Sequence, residues 1–321
     1  VRGIFQAPTM PLLRFLPDES HIDFVGARWY AFAVDGLLLL VTVVSIAWYG
    51  FNLGIDFKGG VLLEVKSPQV IDIGHLRDEI KGLGFPDSTI QYFGGQGACD
   101  TPVNSCALIR VLPRADQSGT AAAGAIRAKL GSAYNFRNTQ VIGPKVSAEL
   151  FHDGVVATVL AIICIAVWVA VRFEWQYGIA AAVATGHDVL VTAGLFSVFH
   201  LDFTLTSIAA LLTLAGYSIN DTVVVFDRIR ENRRKYKRMP LAELINLSTN
   251  QMLTRTILTS ALTASSIIPL LLFGGPALFD FSVPILFGIV VGTFSSTYVA
   301  AALLLYLPAP AGTRTDEKAA A

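Results

Sequence analysis

Six apolar runs, each long enough to cross a bilayer as a helix, constrain this chain more than any other feature of its sequence. A membrane-crossing helix needs about 20 predominantly apolar residues, and in lipid only helices and closed barrels satisfy their own backbone polar groups. The runs lie at Tyr30 to Tyr49, Asp153 to Val171, Tyr177 to Phe199, Phe203 to Phe226, Arg255 to Phe273 and Phe281 to Leu307. With 53% of residues hydrophobic and only 15% charged, the 321-residue chain reads as an α-helical polytopic membrane protein of six spans. The first run is too long and too far from the N-terminus for a simple cleaved signal peptide, so it is expected to remain as an anchor.

Short loops rich in Lys and Arg stay in the cytoplasm. Arg2, Arg14 and Arg28 precede the first span, Arg172 follows the second, and seven basic residues from Arg228 to Arg238 follow the fourth. The opposite loops, His200 to Asp202 and Gly274 to Asp280, carry no Lys or Arg. Both termini are therefore expected in the cytoplasm. The expected organisation is a cytoplasmic N-terminal segment (1–29), a first span (30–50), an external domain (51–152), and spans two to six (153–307) with a basic cytoplasmic loop at 227–253. A Pro/Ala-rich tail (308–321) reads as disordered.

The external segment alternates strand and helix patterns. Strand-like runs lie at Val61 to Val65, Thr89 to Phe93, Ala107 to Leu112 and Thr139 to Ile142, and helical spacing at Ile71 to Leu83 and Asp116 to Leu130. The order βαββαβ predicts a ferredoxin-like α+β sandwich. Cys99 and Cys106 lie inside a Gly/Pro/Asn-rich stretch, Gly94 to Leu108; an oxidising compartment would allow a disulfide, and their spacing alone leaves bonded and free forms open. Cys164 in the second span reads as a small core hydrophobe. No nucleophile, metal-ligand cluster or phosphate-binding motif is evident, so neither an enzyme nor a cofactor is expected; nor is a nucleic-acid partner.

Polar residues recur at helical spacing inside three spans. The fourth carries Thr206, Thr213 and Asn220 at steps of seven with Asp221 beside the last; the fifth carries Arg255, Thr259, Thr263 and Ser266; the third carries Thr185, Asp188 and Thr192. Ser and Thr pack well between membrane helices, as do Gly288 and Gly292 of the sixth span. That reading does not extend to Asp188, Asp221 and Arg255, because an ionisable group at the centre of a span costs about 2.5–3.5 kcal/mol on insertion scales. Asp221 and Arg255 lie at comparable depth from the cytoplasmic side, so Arg255 reads either as a guanidinium facing the carboxylate or as a side chain snorkelling to lipid headgroups at a helix end. Such an acid could alternate between holding a proton and pairing with Arg.

Five strings resemble the SecF members of the SecD/SecF family, relatives of the RND transporters: Gly54-Ile-Asp-Phe-Lys-Gly-Gly60, Arg172-Phe-Glu-Trp175, Gly186-His-Asp-Val189, the long Gly216 to Asn232, and Arg255-Thr-Ile-Leu-Thr-Ser260. The resemblance implies a subunit of the Sec protein-export machinery in the bacterial inner membrane that pairs with SecD. It further implies association with the SecYEG channel, YajC and YidC as further neighbours, an exported unfolded polypeptide as client, and protons as the coupling ion. By carry-over, Asp221 is the proton-relay carboxylate, Arg255 its modulator, and Asp188 and Asn220 supporting residues. Gly54, Asp56, Gly59 and Gly60 form a hinge between the first span and the external domain. A proton-driven small-molecule exporter would share this design but normally has larger external domains. An intramembrane aspartyl protease would carry Gly-x-Gly-Asp, which neither Asp188 nor Asp221 has. A structural scaffold is the reading favoured if Asp221 could be replaced without effect.

Overall fold

Hydropathy alone dictates six long helices, and six form among the described residues. The computed structural model describes residues 20–86, 88–92, 99, 102–113, 117–131 and 133–308, with 275–277 described by backbone alone. The helices long and apolar enough to cross a membrane are Arg28–Tyr49, Pro144–Arg172, Trp175–Val198, Leu205–Lys235, Leu241–Phe273 and Leu278–Leu303, here called spans one to six. Most of the expected N-terminal segment and all but the first residue of the tail lie outside the described residues.

The helix ends differ from the hydropathy limits for identifiable reasons. Span two starts at Pro144, a residue suited to the first helical turn because its missing N–H is unneeded there. The expected basic loop at 227–253 is largely helix: span four continues through Lys235, and span five begins at Leu241 immediately after Pro240. Arg, Lys and Glu are good helix formers, and basic residues in the last turn complement the helix dipole. The two extensions pack as a hairpin, with Asn232 donating to Ser248 Oγ (2.9 Å) and Gln251 Oε1 (2.8 Å). In span six the α-helix passes at Ser295 into a single π-turn, Ser296–Ala300.

Between spans one and two, strand β1 (Asn52–Leu53) is followed by β2 (Gly60–Lys66), β3 (Thr89–Tyr92), β4 (Cys106–Val111) and β5 (Asn135–Ile142). The last four form one antiparallel sheet in the order β3-β4-β2-β5. Helix Ile73–Gly82 joins β2 to β3 and helix Gly119–Leu130 joins β4 to β5, giving two interleaved βαβ units. Asp72 caps the first helix, accepting from the Gly74 and His75 amides, and Ser118 caps the second. Val61 and Leu63 of β2, Leu76 and Ile80 of the first helix, Ile109 of β4 and Ile126 of the second helix fill the core at full burial. Cys99 and Cys106 are disulfide-bonded.

The segment expected to act as a hinge is tied to the bundle. Strand β1 pairs in parallel with β6 (Asp202–Phe203), between spans three and four. The Gly54 amide donates to Phe203 O at 2.8 Å, and Asp56 Oδ2 accepts from the Leu205 amide at the start of span four at 3.0 Å. Gly60 has φ +134°, and a Cβ there would lie 2.7 Å from Val111 O, so only glycine fits. From the four-stranded sheet, Arg110 pairs with Asp202, which also accepts from Asn52 Nδ2. The described ends of the chain meet at the opposite end of the bundle, where Arg28 Nε donates to the Tyr306 hydroxyl.

Candidate functional site

Span three is the most buried of the six, and spans two and five are the least. Polar side chains in these spans gather into two clusters.

The first surrounds Asp221, which is 2% exposed on span four. It faces span five: Thr259 Oγ1 donates to Oδ1 at 3.3 Å and Ser260 Oγ to Oδ2 at 3.4 Å. Tyr217 donates to Ser260 Oγ, and Ser260 Oγ lies 2.7 Å from Thr293 Oγ1 of span six. Both contacts to the carboxylate are long, and each hydroxyl has a second acceptor within reach, Thr256 O for Thr259 and Thr293 Oγ1 for Ser260. Chemically, this is a buried acid with hydroxyls on hand to relay a proton and little to fix one charge state.

The second cluster surrounds Asp188, which is fully buried on span three. Ser218 of span four donates to its Oδ2 at 2.5 Å and Ser295 of span six at 2.8 Å, while His187 Nδ1 lies 3.0 Å from its Oδ1. Gly292 lies beside this cluster, where a Cβ would stand 3.4 Å from both Asp188 Oδ2 and Ser218 Cβ, an ordinary contact. Gly288, one turn earlier, lies over Leu214. Small residues thus bring span six against span four, and the π-turn follows Ser295 directly.

Several expected neighbours are not brought together. Arg255 is exposed and makes no direct ion pair with Asp221, although its guanidinium stands near enough to act on the carboxylate electrostatically; hydroxyls of its own helix make the hydrogen bonds. Asn220 and Thr213 are exposed, Thr206 is half-buried, and Thr213 donates to Ala209 O of its own helix. The reason is helical geometry: neighbours in sequence are about 100° apart around the axis, so Asn220 points away from the face that buries Asp221. Thr263 donates to Thr259 O, one turn earlier on its own helix, and makes no hydrogen bond to the acid.

Sequence reasoning passed over Asp35, an acid on span one that is 5% exposed, although an acidic residue inside an apolar run is the same signal that marked Asp221. The serines Ser218, Ser260 and Ser295 were also missed as partners, whereas His187, adjacent to Asp188 in sequence and readable from it as a hydrogen-bond partner, lies where that reading puts it. Polarity within a span could have nominated the serines, but not their pairing.

A family model described as protein export membrane protein SecD/SecF, C-terminal, matches residues 123–309, and one for the SecD/SecF GG motif matches residues 44–67. A protein translocase subunit SecF from Cereibacter sphaeroides is 40% identical over 314 residues, covering 96% of this chain and 96% of its own. Its counterpart from Rickettsia prowazekii is 37% identical over 292 residues, covering 91% and 93%. The crystal structure of SecDF, a translocon-associated membrane protein from Thermus thermophilus, superposes with a TM-score of 0.78 at 34% identity. That match covers 91% of this chain but 39% of the longer one.

Proposed function

The chain belongs to the SecD/SecF family of protein-export membrane proteins, and we propose that it is the half of a proton-driven export device that pairs with SecD. Together the two would couple the proton-motive force to late steps of protein translocation across the bacterial inner membrane, beside the SecYEG channel and with YajC and YidC nearby. The observation that carries this reading is Asp221: an acid 2% exposed inside a membrane span, held only by long contacts to hydroxyls of the next span. Proton gain or loss there changes what spans four and five can offer one another. Arg255, one turn before Thr259, would act as modulator by moving toward or away from the acid.

A proton crossing about 100 mV releases about 2.3 kcal/mol, enough to bias a two-state motion about fifty-fold. The motion would reach the external domain through the Gly54 to Gly60 segment, whose contacts run to the start of span four. Orientation follows from the basic residues, with both termini in the cytoplasm.

The test is export driven by an imposed proton gradient, in membranes whose own copy has been replaced. Asp221→Asn should remove the gradient-dependent part of export while leaving the amount of protein in the membrane and its recovery with SecD unchanged. Gradient-dependent export at the parent level in the variant would refute the role of Asp221. Failure of the parent chain to retain SecD and SecYEG in mild detergent would refute the partnership.

A further inference from the structure

Span one buries four residues, Ala31, Asp35, Thr42 and Ser45, and three of them are polar. They meet span three in one continuous register. Asp35 faces His187, a Cβ on Gly194 would lie 2.2 Å from Thr42 Oγ1, and Ser45 Oγ lies 2.9 Å from Ser197 Oγ; all three pairs share the same sequence offset of 152. The two helices therefore run parallel, joined by a seam that ends in charged groups at one end and leads at the other into the pairing of Asn52 with Asp202.

At the charged end both ring nitrogens of His187 face carboxylates. Nδ1 lies 3.0 Å from Asp188 Oδ1, and Nε2 lies 3.5 Å from Asp35 Oδ1. A neutral imidazole has one N–H and one lone pair, whereas an ionised carboxylate only accepts. With both acids ionised and the ring neutral, one carboxylate would meet a lone pair, and two negative charges would be buried together, which is strongly unfavourable. The geometry therefore calls for at least one further proton. Asp188 is provided for as an anion, since Ser218, Ser295 and His187 all reach it. Asp35 is not: it is 5% exposed, and neither of its oxygens has a hydrogen-bond partner.

The charged groups acting on Asp35 and His187 are each other and Asp188. Spans four and six contribute only the Ser218 and Ser295 hydroxyls, and Tyr298 of the π-turn packs on Phe24 and Phe294 instead. We propose that Asp35 and His187, backed by Asp188, form a proton-binding site within the membrane, separate from Asp221, whose charge state sets how firmly span one is held to span three. One proton on the ring makes an ion pair with each carboxylate and closes the seam. A second proton, on Asp35, removes the attraction and loosens it. Because span one leads into the strap that carries the external domain, this site acts on that domain without passing through span five. It does not depend on the role proposed for Asp221.

The test uses the full chain in lipid nanodiscs with ¹⁵N-labelled histidine, of which the chain has five; the His187 signal is the one lost in His187→Gln. Between about pH 5 and pH 8 the His187 ring signals should change, and in Asp35→Asn that change should vanish or move by at least about half a pH unit, on the scale expected for a lost charge partner. A His187 spectrum that is constant over this range, or one that Asp35→Asn leaves unaltered, overturns the site. The mechanical half is read from disulfide formation in Ser45→Cys/Ser197→Cys, with each rate divided by that of the same pair carrying Asp35→Asn at the same pH to cancel thiol chemistry. The ratio should change at least threefold across the range, and a flat ratio overturns control of the seam. Asp221→Asn should leave both readouts in place; their loss in that variant would overturn the separateness of the two sites.

Discussion

Asp188 and Asp221 are both carboxylates buried between membrane helices, yet their surroundings fit them for different work. Asp188 accepts from Ser218 at 2.5 Å and Ser295 at 2.8 Å, serines drawn from two other spans, and is thereby held in place by short contacts. Asp221 accepts at 3.3 and 3.4 Å from hydroxyls that have other acceptors. Removing a donor from the first should cost more than removing one from the second. Ser218→Ala is expected to destabilise the fold by about 1–3 kcal/mol, the penalty for stranding a buried charged acceptor, and Thr259→Val by less than about 1 kcal/mol. Thermal unfolding of the purified protein in detergent measures both, and equal losses would contradict the distinction. Asp188 and Asp221 were legible in the sequence because a charge in an apolar run is conspicuous. Asp35 carried the same signal, with Thr42 and Ser45 at helical spacing behind it. What the pattern could not supply was rotation about the helix axes, which turns Asn220 and Arg255 outward and brings Ser218 and Ser295 inward.

At the scale of elements, the six helices follow from hydropathy and the βαββαβ order between the first two from alternating strand and helix periods. Helix ends were the least legible part, because the stretch from Asp227 to Lys235 is polar yet made largely of good helix formers, and polarity alone suggests a loop. The connection between the parts was also hidden in the sequence. Gly54 to Gly60 reads as flexible from its glycines, but β1 pairs with β6 and Asp56 accepts from the first amide of span four. That contact places a carboxylate at a helix N-terminus, where the backbone N–H groups favour negative charge. Asp56→Ala should therefore weaken the attachment by about 1 kcal/mol and raise hydrogen exchange at the Gly54 and Leu205 amides, while the core of the external sheet around Leu63 stays protected. Unchanged exchange at Leu205 would mean that Arg110 and the aromatic contacts among Phe57, Phe151 and Phe203 hold the strap without it.

Across the whole molecule, burial is lopsided. Span three is enclosed on most sides, whereas spans two and five present most of their length outward. On span four the exposed positions Thr213, Gly216 and Asn220 follow one another at helical spacing and make a narrow stripe of small and polar residues, with Arg255 exposed on the neighbouring helix. Lipid offers nothing to an amide or a hydroxyl, while a second helix offers both packing and hydrogen bonds. The stripe is thus suited to contact with a second protein half, in keeping with the much longer SecDF chain of which this one matches 39%. Cys164 is exposed on span two, not in the core as its sequence setting suggested, and supplies an internal reference. With Asn220→Cys introduced and SecD co-expressed, labelling by a membrane-permeant maleimide should fall at least several-fold at position 220 relative to the chain alone, while labelling of Cys164 stays constant. Equal labelling of position 220 with and without SecD would place the partner on another face of the bundle.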